Sequence, residues 1–306
     1  MNILSLFNGI SGLHLACDRA GFNVDVCYYS EIDKFANKVT EHHYPNDIAL
    51  GDVTKWREWD IDWASIDLVS AGFPCQAWSV AGQQLGDKDE RGMLFWTTLE
   101  IIKHVLYFNP KAKFLMENVK MKKDFEEYIT HHTTQALGYV EKTLINSALV
   151  SAQNRNRYYW TNFEVTRPDD KGILLKDILE DGFNGRDKSQ TILATIYKEN
   201  AKSMVKRNKM GLVVGGAIRG RYNEDGSTSQ RLELNGAEKT NSLTTVQKDN
   251  VAVYEDMTYR KLTPIECERL QTLPDNWTDC ISNTQRYKSI GNGWTIDVIA
   301  HILKHI

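Results

Sequence analysis

The stretch "SAGFPCQAWSVAG", residues 70–82, sets a lone thiol, Cys75, on a proline turn just after an apolar run, 66–71, that reads as a buried strand. A structural cysteine belongs inside a packed run, and a disulfide needs an oxidising compartment and a partner. Cys75 has neither, and the polar loop 79–92 that follows it carries three glycines. A thiol at the mouth of a sheet is placed to be a nucleophile, provided a cation or a helix N-terminus favours its thiolate. Two other stretches hold groups that could work beside it. "MENVK" (116–120) ends a strand-like run in a carboxylate, Glu117, and "AQNRNRYY" (152–159) presents Gln153, Arg155 and Arg157. Alone, the first is a capped strand end and the second a solvated basic turn. In register with Cys75 they supply a nucleophile, a proton-handling acid and cations.

A second set of residues describes a binding pocket. "LFNGISG" (6–12) is a glycine-rich turn between a strand-like run and a helical one, a place where a ligand can approach backbone N–H groups. It is neither the G-x-G-x-x-G fingerprint nor a P-loop. About twenty residues later the second strand ends in Glu31, suited to accept from ribose hydroxyls. The third ends in Asp52-Val53, an acid suited to an exocyclic amino group. Any one of these acids could be a helix cap. A glycine turn and two acids at three consecutive strand ends describe a nucleoside-cofactor site.

These residues require a sheet whose strands all end on one side. Short β-rich runs at 3–7, 25–31, 49–52, 66–71 and 114–117 alternate with helical patterns at 13–21, 33–43, 93–108 and 125–137, and strands 140–146 and 157–163 follow. Such alternation implies α/β architecture, a doubly wound, mostly parallel, Rossmann-like sheet with ligands at the carboxyl ends of its strands. Near Arg167 the composition shifts to Gly, Asn, Asp, Ser and Lys with short strands. We expect a catalytic, cofactor-binding domain at 1–164, a smaller loop- and strand-rich domain at 165–258, and a C-terminal segment at 259–306 packing back on the first. In that segment Thr263 and Pro264 open a helix, and the chain closes in an amphipathic helix.

Composition narrows the classes further. With 42% hydrophobic and 25% charged residues among 306, this is an ordinary globular chain. No run reaches the ~18 apolar residues of a membrane span, and the N-terminus lacks a signal-peptide pattern. We therefore expect a cytoplasmic protein without membrane contact. Five cysteines without a C-x-x-C pair argue for a reducing compartment and against zinc, so no metal is expected. The net charge of −3 hides an asymmetry: residues 186–231 hold ten Lys/Arg against four Asp/Glu, six units positive. A solvated face explains that, and so does a surface that tracks a phosphate backbone.

Taken together, "FNGISG", "GFPCQAWSVAG", "MENVK", "AQNRNRYY", "RKLTPIECERLQTLPDNW" (260–277) and "SIGNGWTIDVIAHI" (289–302) resemble the six motifs of DNA (cytosine-5) methyltransferases, in the family's order. The look is closest to small phage or prophage members. The resemblance implies methyl transfer from S-adenosylmethionine to C5 of a cytosine turned out of double-stranded DNA, through a covalent bond between Cys75 and C6. It implies that Glu117 handles the N3 and amino edge and Arg157 the O2 of the base, with Asn118, Arg155 and Gln153 in support. For the cofactor it implies Phe7, Gly9, Ile10, Ser11 and Gly12 of the turn, the acids Glu31 and Asp52 with their neighbours Ile32 and Val53, and Pro74, Leu94, Asn292 and Trp294. The chain is expected to act as a monomer in a bacterial or phage-infected cell, and a cognate restriction endonuclease is not required.

Residues 215–250 resemble the family's target-recognition region. There Arg219, Arg221 and Arg231 suit guanine, Gln230 or Gln247 suits adenine, and Ser242-Leu243-Thr244-Thr245 form a Thr-Leu-like element; each arginine can equally anchor a phosphate. Filling the space vacated by the base falls to no obvious residue, since Ala81 in the loop is too small, and Gln230 or Arg231 is the nearest choice. Two other classes compete. A DNA-binding relative without catalysis would have no need to keep Cys75, Glu117 and Arg157 together. An NAD-dependent oxidoreductase would explain Glu31 but not the glycine spacing or the thiol.

Overall fold

The computed structural model describes residues 1–74, 90–180, 214–222, 228–234, 240–241, 243, 251–253 and 259–306. The chain divides into two compact units. One comprises Met1–Asn146, Asn156–Pro168 and Ile296–Ile306; the other comprises Ser147–Arg155 and Asp169–Thr295.

The first unit is built on a seven-stranded sheet. Its strands are β1 (Asn2–Leu6), β2 (Val26–Ser30), β3 (Ile48–Ala49), β4 (Leu68–Ala71), β5 (Lys113–Val119), β6 (Glu141–Asn146) and, after the short β7 (Gln153–Asn154) of the other unit, β8 (Asn156–Thr161). The order is β3-β2-β1-β4-β5-β8-β6. Strands β1 to β5 pair in parallel, and β8 runs antiparallel to both β5 and β6. From β1 the chain winds outward to β2 and β3, then crosses to β4 and β5. The gap between the two windings, at the carboxyl ends of β1 and β4, is where open α/β sheets take ligands.

Alternation along the strands explains the layers. Leu4, Leu6, Val69, Ala71, Phe114 and Met116 share one core with Phe95, Leu99, Ile102 and Val105 of α3 (Glu90–Phe108) and Ile129 of α4 (Lys123–Leu137). The intervening Ile3, Ser5, Leu68, Ser70 and Leu115 are equally buried, so the sheet is covered on both faces. Helix α1 (Gly12–Ala20) opens on Ser11, whose φ of 63° is left-handed, and closes on Gly21 at φ 87°. It packs on α7 (Ile296–Leu303), where Arg19 meets Asp297 at 2.6 Å. Helix α2 (Lys34–His43) opens on the Asp33 side chain, which accepts from the Phe35 amide.

The strand expected at 49–52 is only Ile48–Ala49. Its acid does another job: the Asp52 carboxylate accepts from the Thr54 amide and caps the 3-10 turn Val53–Glu58. That local bond competes with strand pairing.

The second unit carries β9 (Val214–Tyr222), β10 (Thr228–Leu234), β12 (Val251–Val253) and β13 (Tyr259–Lys261) in one antiparallel sheet, ordered β10-β9-β12-β13. Strand β11 (Thr240–Asn241) pairs in parallel with β7. Helix α5 (Pro264–Leu270) has the expected start, Thr263 and Glu266 forming a reciprocal capping box with proline at the first position. Helix α6 (Asn283–Asn292) was not expected. Its buried face includes Arg286 and Ser289 beside Tyr287 and Ile290, so no apolar stripe marks it, and Gly291 falls in its last turn.

Arg286 is buried because Glu268 is. The Glu268 side chain is fully enclosed; its Oε1 takes the Thr278 amide at 2.9 Å and Arg286 Nη2 at 3.0 Å, and its Oε2 takes the Asn276 amide at 2.7 Å. Removing one partner strands a buried charge. Glu268→Ala should therefore destabilise the protein by about 3–5 kcal/mol, read as a lower denaturant midpoint at unchanged slope. A loss within 0.5 kcal/mol would show that the network holds nothing together.

Candidate active site

Strand β5 outlasts its parallel neighbour. The last β4–β5 pair is Ala71 with Met116, while β5 continues through Glu117, Asn118 and Val119 against Tyr159, Tyr158 and Arg157 of β8. Glu117 and Arg157 are thus diagonal neighbours on one face of an antiparallel pair. Arg157 Nε lies 3.0 Å from Glu117 Oε1, with both side chains largely buried. Arg157 Nη1 donates to the Asn156 carbonyl at 2.9 Å. Among the described residues Nη2 has no partner, which leaves two guanidinium N–H groups for an oxygen acceptor.

Asn118 points to the other side and is buried. Its Nδ2 donates to the Phe73 carbonyl at 3.1 Å, and its Oδ1 accepts from the Val119 amide at 2.8 Å. The overhang of β5 thereby holds the turn Gly72–Phe73–Pro74 where β4 has ended. Cys75 and the loop through residue 89 lie outside the described residues. Three of the remaining cysteines are poor nucleophiles: burial pushes the Cys17 thiol up to about 12 and raises Cys27 and Cys267 further.

The turn after β1 is fixed from two directions. The Gly9 amide donates to Glu31 Oε2 at 2.8 Å, and the Ile32 and Asp33 amides donate to Oε1, each at 2.8 Å. From α2, Thr40 Oγ1 receives both Asn8 Nδ2 at 3.0 Å and Ser11 Oγ at 2.9 Å. Phe7, Gly9 and Ser11 all have positive φ, so the loop is tightly coiled. Only Phe7 and Gly9 of the five expected turn residues are accessible. Ile10, Ser11 and Gly12 are buried, and what they offer is backbone geometry.

Around this turn the donor and acceptor chemistry suits a nucleoside. A carboxylate has about four acceptor sites; Glu31 uses three on amides and keeps one toward solvent. Beside it Ile32 is 78% exposed, an apolar side chain with no protein cover. Asp52 puts both of its bonds, to the Thr54 amide and hydroxyl, on Oδ1, and these bonds hold its carboxyl below the usual range. Phe7, Leu50 and Leu94 are half-buried and pack on the core that includes Val53 and Phe73. Leu50 was not expected; its only sequence signal is its place two residues before Asp52.

The other expected site residues belong to the second unit. Gln153 is fully buried: its Nε2 donates to the Leu270 carbonyl at 3.0 Å, and its Oε1 accepts the Leu243 amide at 2.7 Å. Arg155 donates to the Gly293 carbonyl at 2.9 Å. Both side chains organise that unit's backbone. Asn292 is exposed at the end of α6, and Trp294 is half-buried between α6 and α7 rather than on the last helix. Register places Arg219 opposite Arg231 and Arg221 opposite Ser229, so the three arginine positions fall on one side of the β9–β10 hairpin, with Gln230 on the other. Thr244 and Thr245 lie outside the described residues.

The mostly parallel sheet, with its two windings parting between β1 and β4, defines a Rossmann-like α/β fold. Solved structures share it at low identity: the methyltransferase EhMeth of Entamoeba histolytica, with a TM-score of 0.64 at 17% identity over 100% of this chain and 97% of that one. A protein encoded within an E. coli prophage and described as a DNA modification methyltransferase aligns with a TM-score of 0.62 at 19% identity, over 100% and 98% of the two chains. The C-5 cytosine-specific DNA methylase family matches residues 1–306, and the chain belongs to that family. Its relatives include the type II methyltransferase M1.ScrFI of Lactococcus lactis subsp. cremoris, 31% identical over 97% of this chain and 75% of the relative. M.NlaX of Neisseria lactamica is 29% identical over 99% and 95%. The protein is a DNA (cytosine-5) methyltransferase.

Glu31 holds the turn and is expected to receive the cofactor, so its replacement should show in two measurements. Glu31→Gln has one carbonyl acceptor for three amides. It should lower stability by about 1.5–3 kcal/mol, the worth of a charge-assisted hydrogen bond, and weaken S-adenosylmethionine binding more than tenfold by calorimetry. Unchanged affinity would remove Glu31 from the cofactor site.

Proposed function

We propose that the protein methylates C5 of a cytosine turned out of double-stranded DNA, through a transient bond between Cys75 and C6. The observation that carries this reading is the Glu117–Arg157 pair on the overhang of β5, with Asn118 bonded to the carbonyl two residues before Cys75. C5 of cytosine is a weak nucleophile. Addition of the Cys75 thiolate to C6 makes C5 enamine-like and divides one hard step into two. Glu117 would hold the N3 and amino edge, protonating or hydrogen-bonding N3 as charge develops on the ring. Arg157 would give its remaining N–H groups to O2. After transfer, loss of the C5 proton expels the thiolate and restores the ring.

S-adenosylmethionine, when bound, supplies the methyl group as a sulfonium electrophile. Glu31 would accept from its ribose, Asp52 Oδ2 from its adenine amino group, and Phe7, Ile32, Val53 and Leu94 would flank the base, with Pro74 closing the site toward Cys75. C5 and C6 lie inside the duplex stack, so the base must leave it; residues 79–92 would close over it. The reaction calls for no metal, no second subunit and no endonuclease, and the cytoplasm of a bacterium or phage-infected cell is the fitting compartment. Among the described residues no helix is long and apolar enough to cross a membrane.

DNA carrying 5-fluorocytosine tests the nucleophile, because fluorine at C5 blocks the final elimination. The wild type should form a denaturation-resistant complex with it, and Cys75→Ala should form none while binding cofactor normally. Turnover by the alanine variant would end the assignment.

Neighbouring bases would be read by the β9–β10 hairpin. Single replacement of Arg219, Arg221 or Arg231 by alanine should give one of two results. A base-reading arginine costs about 1–3 kcal/mol at one position and relaxes the methylated sequence there. A phosphate anchor weakens all sequences alike and reduces the salt slope by about one charge. We expect at least one of the first kind in methylome maps; three unchanged maps would move base reading elsewhere.

A further inference from the structure

Among the described residues, one group of side chains away from the β5 overhang and the cofactor acids has the composition of a metal site. His14 of α1, Cys27 of β2 and Asp47, just before β3, bring one ligand atom each within 4.8 Å of one another. The spacing 14, 27, 47 matches no metal motif, so the group is invisible in the sequence. Folding makes the group: α1 returns along the sheet, and the α2–β3 connection passes over it.

The three donors are already oriented. His14 Nδ1 lies 3.0 Å from Asp47 Oδ2, near the ~3.3 Å separation of two ligands in a tetrahedral zinc site. The imidazole is stacked on Tyr44 at 3.7 Å and 12°, and the Tyr44 hydroxyl is tied to Asp18 at 2.7 Å. The Asp47 amide bonds to the Tyr44 carbonyl at 3.0 Å, which fixes its carboxylate relative to the ring. Cys27 is buried, while the His14 side chain keeps 13% of its surface exposed and that of Asp47 5%. An ion can therefore enter from the His14 side. Thiolate, imidazole and carboxylate are the zinc ligand set, and three protein ligands leave a fourth position for water.

We propose that His14 Nδ1, Cys27 Sγ and an Asp47 carboxylate oxygen form a site for a zinc-class divalent cation, with water as the fourth ligand. Closing the three atoms onto an ion needs shifts of about 1 Å. On binding, the Cys27 thiol gives its proton to solvent and a sulfur–metal bond forms, with no change of oxidation state. Affinity therefore falls as pH falls. The ion joins α1 and β2 to the segment entering β3, the elements that carry Glu31 and lead to Asp52. It would raise folding stability by mass action.

Cobalt(II) titration of the full-length, chelator-stripped protein tests this directly. A thiolate-to-cobalt charge-transfer band should saturate at one equivalent with release of about one proton, and zinc should displace it. Cys27→Ser should lose the band and Cys75→Ser should keep it. Asp47→Asn, nearly isosteric, should bind cobalt more than tenfold more weakly while its circular dichroism in chelator matches the wild type. Absence of a band at stoichiometric cobalt, a band that survives Cys27→Ser, or unchanged affinity in Asp47→Asn would overturn the proposal.

Discussion

The three residues by which β5 outruns β4 are the constraint on which the site depends. A parallel neighbour would bury that end of the strand under its own ladder. Because β4 stops at Ala71, the end of β5 pairs only with antiparallel β8, and the two faces of the overhang take separate tasks. One face sets Glu117 against Arg157, and the other turns Asn118 toward the Phe73 carbonyl. Period-two alternation thus converts consecutive residues into an acid paired with an arginine and an amide that holds the turn before Cys75. Slipping the pairing by one residue would exchange these roles and abolish both.

The acids after β2 and β3 follow a related economy. Glu31 binds three backbone amides that would otherwise lack partners at the end of β2 and in the glycine turn, and it still presents acceptor capacity outward. Asp52 likewise caps a 3-10 turn while keeping one oxygen clear of it. In both cases the bond that shapes the backbone also fixes the carboxylate's direction. The acid therefore needs little reorganisation to receive a ligand, which is where affinity is gained.

Much of this was legible in the residues. The strand–helix alternation is visible in the hydrophobic runs, and Glu31, Asp52, Glu117 and Arg157 stand at the limits of those runs, although β3 ends at Ala49 and β5 continues past Glu117 to Val119. What was hidden depended on tertiary partners. Helix α6 buries Arg286 against Glu268, and a buried ion pair leaves no apolar stripe to read. The partners of Gln153 and Arg155, among them the backbone at Leu243, Leu270 and Gly293, are remote in sequence and could not be read from the motif. The His14–Cys27–Asp47 group has the same origin, since no periodicity records which loops cross.

If Glu117 acts on the chemistry of the base rather than on its capture, single-turnover methylation by Glu117→Gln will show it. The amide keeps the shape of the side chain and loses the proton-handling group. The chemical step should slow by about 10²–10⁴-fold, with DNA and S-adenosylmethionine affinities near those of the wild type. A wild-type rate, or a loss confined to DNA affinity, would contradict it.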